Sequence, residues 1–224
     1  MDSLIWRLLQ ILLTLPAILV SLSVHELCHG YAAHLLGDPT PRAMGRLSLN
    51  PLRHIDPIGF IALLICRVGW AKPVVVDSRY FKNPKRDMAI TALAGPVSNF
   101  LLALIFSFIS VFLDKIGNAF SLFSASPMTP FGAFWMIVYF MVPINLGLGV
   151  FNLIPIPPLD GSKILYAFLP NKILYKILPY ENYIRLALIL LLCFGFLGNY
   201  IGTAVNFFET LFMNFAEGVF LYGN

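Results

Sequence analysis

The stretch LPAILVSLSVHELCHGYAAHLLGD, residues 15–38, decides how the rest of the chain is read. It is apolar enough for a membrane-spanning helix, yet its second half carries His25, Glu26, His29 and His34. A charged side chain at the bilayer centre costs roughly 2.5–3.5 kcal/mol or more, so ionisable groups there face a polar interior and mark a function. His25 and His29 are four residues apart, which on a helix puts their side chains on one face, about 40° apart. Two imidazoles so placed can hold one Zn2+, with the intervening Glu26 in reach of a water on the metal, the H-E-x-x-H arrangement. His34 lies about 180° around the same helix from His25 and cannot share that metal; it reads as an interfacial histidine. Cys28, about 60° from His25, reads as packing.

Working outward, the 224 residues are 58% hydrophobic and only 12% charged, against about 25% charged in soluble domains. The expected class is an all-α polytopic membrane protein with about four to five transmembrane helices plus a re-entrant or β-hairpin segment on the cytoplasmic side. A single membrane-embedded domain over residues 1–224 is expected, with its core at 15–165. Spans are expected at 4–36, 88–113, 131–154 and 183–205, the last leading into an interfacial helix that ends near 220. The N-terminal run after Arg7 resembles a secretory leader but lacks a small-x-small cleavage site, so it is expected to be retained. Cys28, Cys66 and Cys193 lie in apolar segments without paired spacing, which argues against a disulfide framework.

The net charge of +4 reads as topology rather than nucleic-acid binding, because nine of the fifteen Lys and Arg residues fall between positions 42 and 86. Those basic residues flank the segment PIGFIALLICRVGW, residues 57–70, on both sides. A true crossing would put one basic flank on the wrong side of the membrane, and a run this short suits a re-entrant element. The reading is that about 42–77 dips in and returns, with short extended pieces near 42–50 and at PVVV. Both termini then face outward.

A catalytic zinc wants a third protein ligand and an open position. No Glu occurs between Glu26 and Glu181, which leaves His54, Asp56 and Asp160. Asp160 sits in NLIPIPPLDG, directly after a helix interrupted by Pro155, Pro157 and Pro158. Broken backbone at membrane depth is tolerated where it lines a polar cavity. On the third span, Asn145, Gly149 and Asn152 share a face. Asn152, then Asn145, are candidates for an amide that contacts the substrate or the developing oxyanion. His54 and Asp56 stand at the mouth of the re-entrant segment, His54 as a candidate at the site's edge. Gly95 and Asn99, four residues apart, should let the second span pack closely against the histidine helix.

Three motifs in order, His25-Glu26-x-x-His29, AGPVSN at 94–99 and NLIPIPPLDG at 152–161, resemble the site-2 protease family of zinc intramembrane metalloproteases. The resemblance covers roughly residues 15–165. GRLSLNPLRHIDPIG and GWAKPVVVD look like its compact bacterial branch, which lacks a PDZ or CBS domain. The resemblance implies that His25, His29 and Asp160 bind one Zn2+ and that Glu26 is the catalytic base. It further implies transmembrane protein substrates in a lipid bilayer, in a bacterial plasma membrane, with the active site nearer the cytoplasm. A locally unwound substrate could pair with an exposed edge at 42–50 or 72–77. The alternative is a non-proteolytic zinc-binding membrane protein, either transporter-like or an inactive relative.

Overall fold

The computed structural model describes residues 3–59, 69, 71–120 and 129–222. Helix α1 runs Ser3–Leu35. It ends where Gly37 adopts φ 106°, with Gly37 N–H donating to the His34 carbonyl and Asp38 N–H to that of Ala33. This is a Schellman closure, which needs a left-handed residue. Helices α2 (Pro84–Ala119) and α3 (Pro130–Asn152) follow, each opened by a proline at its first position, where the missing N–H costs no helical hydrogen bond. Then come α4 (Asp160–Phe168), α5 (Asn171–Ile177), α6 (Glu181–Cys193) and α7 (Gly198–Tyr222).

Among the described residues, three helices are long and apolar enough to cross a membrane, at Leu9–Leu35, Pro84–Ala119 and Pro130–Asn152. The all-α membrane class expected from composition is what the fold displays. α2 is the central element: it packs against α1, α3, α4 and α7. Ala103, Val142 and Leu146 are fully buried at its contact with α3, and Phe208 and Phe212 of α7 close over them. Elsewhere the buried contacts are small and polar, among them Ser21, Ser98, Ser107 and Ser110. Small residues let helix backbones approach where lipid supplies no hydrophobic drive for association. The apolar bulk faces outward, as at Leu12, Leu101, Ile105 and Phe112.

Two expectations are corrected in detail. The fourth crossing at 183–205 is not one helix, because the chain breaks between α6 and α7. Gly195 takes φ 75°, Gly195 N–H donates to the Leu192 carbonyl and Phe196 N–H to that of Leu191. That second Schellman closure ends α6 after 13 residues, too few to span. The β-hairpin is also absent among the described residues. The pairing seen among the described residues is an isolated antiparallel bridge between Ile55 and Ala71, extended by the Lys72 N–H bond to the His54 carbonyl. The 42–50 piece opens instead with the helical turn Thr40–Ala43 and leads into a 3-10 turn at Pro51–Arg53. Residues 60–68 and 70, most of the apolar run 57–70 within the expected re-entrant segment, lie outside the described residues. The bridge nevertheless brings the two flanks of that segment together at one place.

Candidate metal centre

His25 and His29 leave α1 one turn apart, and their Nε2 atoms lie 2.9 Å from each other. Asp160 Oδ2 lies 3.2 Å from the first and 3.0 Å from the second. All three residues are buried, although 131 and more positions of sequence separate the aspartate from the histidines. Asp160 reaches them because the proline-rich stretch after α3 turns the chain so that α4 begins at Asp160. A helix N-terminus favours a carboxylate at that position. The next residue must be glycine: a Cβ on Gly161 would stand 2.2 Å from the Leu153 carbonyl oxygen.

The imidazoles are held from behind by α2. His25 Nδ1 lies 2.6 Å from the Asn99 side-chain oxygen, and His29 Nδ1 lies 2.7 Å from the Thr91 backbone oxygen. Between these two anchors stands Gly95, where a Cβ would fall 2.4 Å from His29 Nε2 and 2.6 Å from His25 Cε1. Thr91, Gly95 and Asn99 are spaced by four and form one stripe on α2, facing the His25–His29 stripe of α1. The close packing expected of Gly95 and Asn99 is therefore present, but the sequence reading missed the orienting contact of Asn99 and the part played by Thr91. The i, i+4, i+8 spacing was the available signal.

This donor set suits zinc. Three ligand atoms bonded at 2.0–2.2 Å in a tetrahedral arrangement stand about 3.3 Å apart, close to the observed separations. Both histidines turn Nε2 inward while Nδ1 is engaged, the outer-partner pattern typical of metal-ligating histidines. Two imidazoles and one carboxylate leave the fourth position open, as catalytic rather than structural zinc sites do.

A scan of known families matches residues 13–194 to the one described as Peptidase family M50. The chain belongs to peptidase family M50. It is a metalloprotease and an integral membrane protein, and Zn2+ is the cofactor its donor set suits. Among relatives of this M50 member, "Putative zinc metalloprotease YwhC" of Bacillus subtilis is 38% identical over 166 residues, covering 74% of this chain and 73% of that one. "Putative zinc metalloprotease Rip2" of Mycolicibacterium smegmatis is 28% identical over 188 residues, 81% of this chain and 66% of that one. "Zinc metalloprotease MJ0392" of Methanocaldococcus jannaschii is 31% identical over 171 residues, 76% of this chain but only 37% of that one. No solved structure matches the chain.

The other sequence candidates take varied places around the M50 centre. Glu26 is nearly buried, and its Oε2 accepts from Val74 N–H at 2.8 Å. Asp38 accepts from Asp77 N–H at 2.7 Å, so the extended segment 72–77 is tied to α1 at two points. Val75, between them, is 46% exposed, and its N–H has no partner among the described residues. His54 is buried, with Nε2 donating to the Ser48 carbonyl, and it is not among the clustered donors. Asp56 accepts from Gly59 N–H and likewise stands apart. Asn152 is partly buried and donates to the Leu148 carbonyl of its own helix. Asn145 is fully buried with both ends of its amide engaged, leaving neither end open to a substrate. Cys28 and His34 are outside the cluster. A cavity of about 340 Å³, lined in part by Leu22, Ser23, His54, Ala71, Gly147 and Phe151, lies between α1, α3 and the 51–71 flanks. Leu22 is one turn before Glu26 on α1, so this mostly apolar space adjoins the helix that carries His25, Glu26 and His29.

Proposed function

We propose that this M50 protein is an intramembrane endopeptidase that hydrolyses peptide bonds within or near transmembrane segments of membrane protein substrates. The supporting observation is the buried His25–His29–Asp160 donor set with Glu26 beside it, carried on helices apolar enough to cross a bilayer. His25, His29 and Asp160 would hold the Zn2+, which when bound would supply Lewis-acid chemistry, acidifying a water towards neutral pH and polarising a carbonyl. Glu26 takes the proton of the attacking water through its carboxylate and returns it to the leaving nitrogen. Val74 N–H steadies one Glu26 oxygen, which leaves the other for the proton. Asp160 offsets the positive charge of the centre. Asn152, at the end of α3, supplies an amide for the developing oxyanion or the substrate backbone.

A transmembrane helix keeps its carbonyls in its own hydrogen bonds, so the substrate must unwind locally before attack. The unwound strand pairs with the free edge of residues 72–77, chiefly at Val75, and places apolar side chains in the adjoining cavity. The reading of a site nearer the cytoplasmic face of a bacterial plasma membrane is supported by the basic 42–86 and 158–182 segments. The test compares wild type with Glu26→Gln on reconstituted transmembrane substrates carrying a helix-weakening segment. Cleavage should fall by about 10²–10⁴-fold while zinc content stays at one per chain. Equal cleavage by the glutamine variant would remove Glu26 as base, and no cleavage by either protein across such a substrate panel would favour the non-proteolytic reading.

A further inference from the structure

The two imidazoles of the metal centre are fixed in unlike ways. His29 Nδ1 faces the Thr91 backbone carbonyl, which only accepts, so Nδ1 must carry the proton and Nε2 the lone pair that a metal requires. His25 Nδ1 faces the side-chain amide of Asn99. An amide is not self-determining: turned by 180°, it would offer an N–H to His25 and reverse the tautomer. Something must hold Asn99 the right way round.

Asn99 Nδ2 lies 2.8 Å from Asn145 Oδ1 and 3.5 Å from the Ser21 backbone oxygen. Asn145 places its own Nδ2 2.7 Å from the Met141 backbone oxygen. Backbone carbonyls cannot donate, so the chain is directed chiefly from its end on α3, the longer contact to the Ser21 carbonyl pointing the same way. Met141 accepts from Asn145 Nδ2, which turns Asn145 Oδ1 toward Asn99. Asn99 must then donate to it and present Oδ1 to His25. His25 must therefore donate from Nδ1 and keep its lone pair on Nε2. Asn99 and Asn145 are both fully buried, so no water competes, and a reversed amide would set acceptor against acceptor at unrelieved cost.

We propose that Asn145, which touches no metal ligand, is a positioning residue of the metal centre. Through Asn99 it ties the tautomer of His25 on α1 to a backbone carbonyl of α3. The inference rests on reading His25, His29 and Asp160 as the zinc set, but it concerns the hydrogen-bond direction in the protein itself. A residue that merely glued α2 to α3 would leave the imidazole tautomer untouched.

The experiment uses full-length protein labelled with 15N-histidine in detergent micelles. The chain has only four histidines, and the imidazole nitrogen shifts report which nitrogen is protonated. In metal-free wild type, His25 and His29 should both be protonated at Nδ1. In Asn145→Ala, His25 should lose that preference toward the Nε2–H form common in free histidine, while His29, anchored on backbone, stays unchanged and serves as internal control. Zinc affinity, measured by chelator competition, should fall about tenfold in Asn145→Ala and about 10–100-fold in Asn99→Ala. Asn145→Asp keeps an acceptor oxygen toward Asn99, with any O–H turned to the Met141 carbonyl, so it should preserve the His25 tautomer; it carries the test if the alanine variant does not fold.

The proposal is overturned if His25 keeps its Nδ1 proton in Asn145→Ala, if His25 and His29 shift together, or if Asn145→Asp switches His25. A wild type that binds no zinc would sink the zinc reading instead, and the tautomer comparison would still decide the relay.

Discussion

Replacing Gly95 by alanine asks whether the zinc ligands are held as tightly as the packing of α1 on α2 implies. The added methyl would lie 2.4 Å from His29 Nε2 and 2.6 Å from His25 Cε1, where ordinary contact begins at 3.4 Å. Each imidazole would have to retreat by about 0.8–1.0 Å, several times the ±0.2 Å that metal–ligand distances tolerate. Neither ring can swing aside freely, because Asn99 and Thr91 hold both Nδ1 atoms from the same helix that carries the methyl. The alternative relaxation, separating α1 from α2, would draw both histidines away from Asp160. Loss of a single outer partner costs about 10–100-fold in metal affinity, so displacing both ligands should cost at least the upper end, about 100-fold or about 2.7 kcal/mol, in zinc affinity. Chelator competition on purified Gly95→Ala in detergent measures this, with helicity followed by circular dichroism. Gly202→Ala, whose methyl would meet nothing within 4 Å, is the control and should bind zinc like wild type. Wild-type zinc affinity in folded Gly95→Ala would refute the reasoning, because the rings would then have room that the geometry denies them.

Two further outcomes follow from the same geometry. Asp160→Ala removes one of three donors and should weaken zinc by more than the roughly 100-fold that marks the upper end for outer partners; metal analysis after gel filtration checks it, and unchanged zinc would reopen His54 and Asp56. Val75→Pro deletes the free N–H of the 72–77 edge, and the loss of one backbone hydrogen bond, about 0.5–1.5 kcal/mol, should lower kcat/KM on a transmembrane substrate by about two- to tenfold with zinc affinity unchanged. Val74→Pro would not test the edge cleanly, since the Val74 N–H is bonded to Glu26. Equal cleavage by Val75→Pro would count against strand pairing.

The features legible from the amino-acid order alone are local ones. The membrane class follows from hydropathy summed over some twenty residues, and the shared face of His25 and His29 follows from helical pitch over four. The ends of α1 and the opening prolines of α2 and α3 were legible for the same reason, since caps depend on a few adjacent residues. Gly195 could also have been read as a stop inside the expected fourth span, but its apolar neighbours, Phe194 and Phe196, masked it. The tertiary structure decided what depends on contacts between distant segments. Asp160 joins histidines more than 130 positions away. Asn99 reaches His25 across 74 positions and Asn145 across 46. No periodicity records such pairings: by residue chemistry alone His54, Asp56 and Asp160 were equal in kind as third donors, the resemblance singled out Asp160, and the helix break aims it between two imidazoles. The same holds for the amides of α2 and α3, whose direction is set by a backbone carbonyl on a different helix from the histidine it governs.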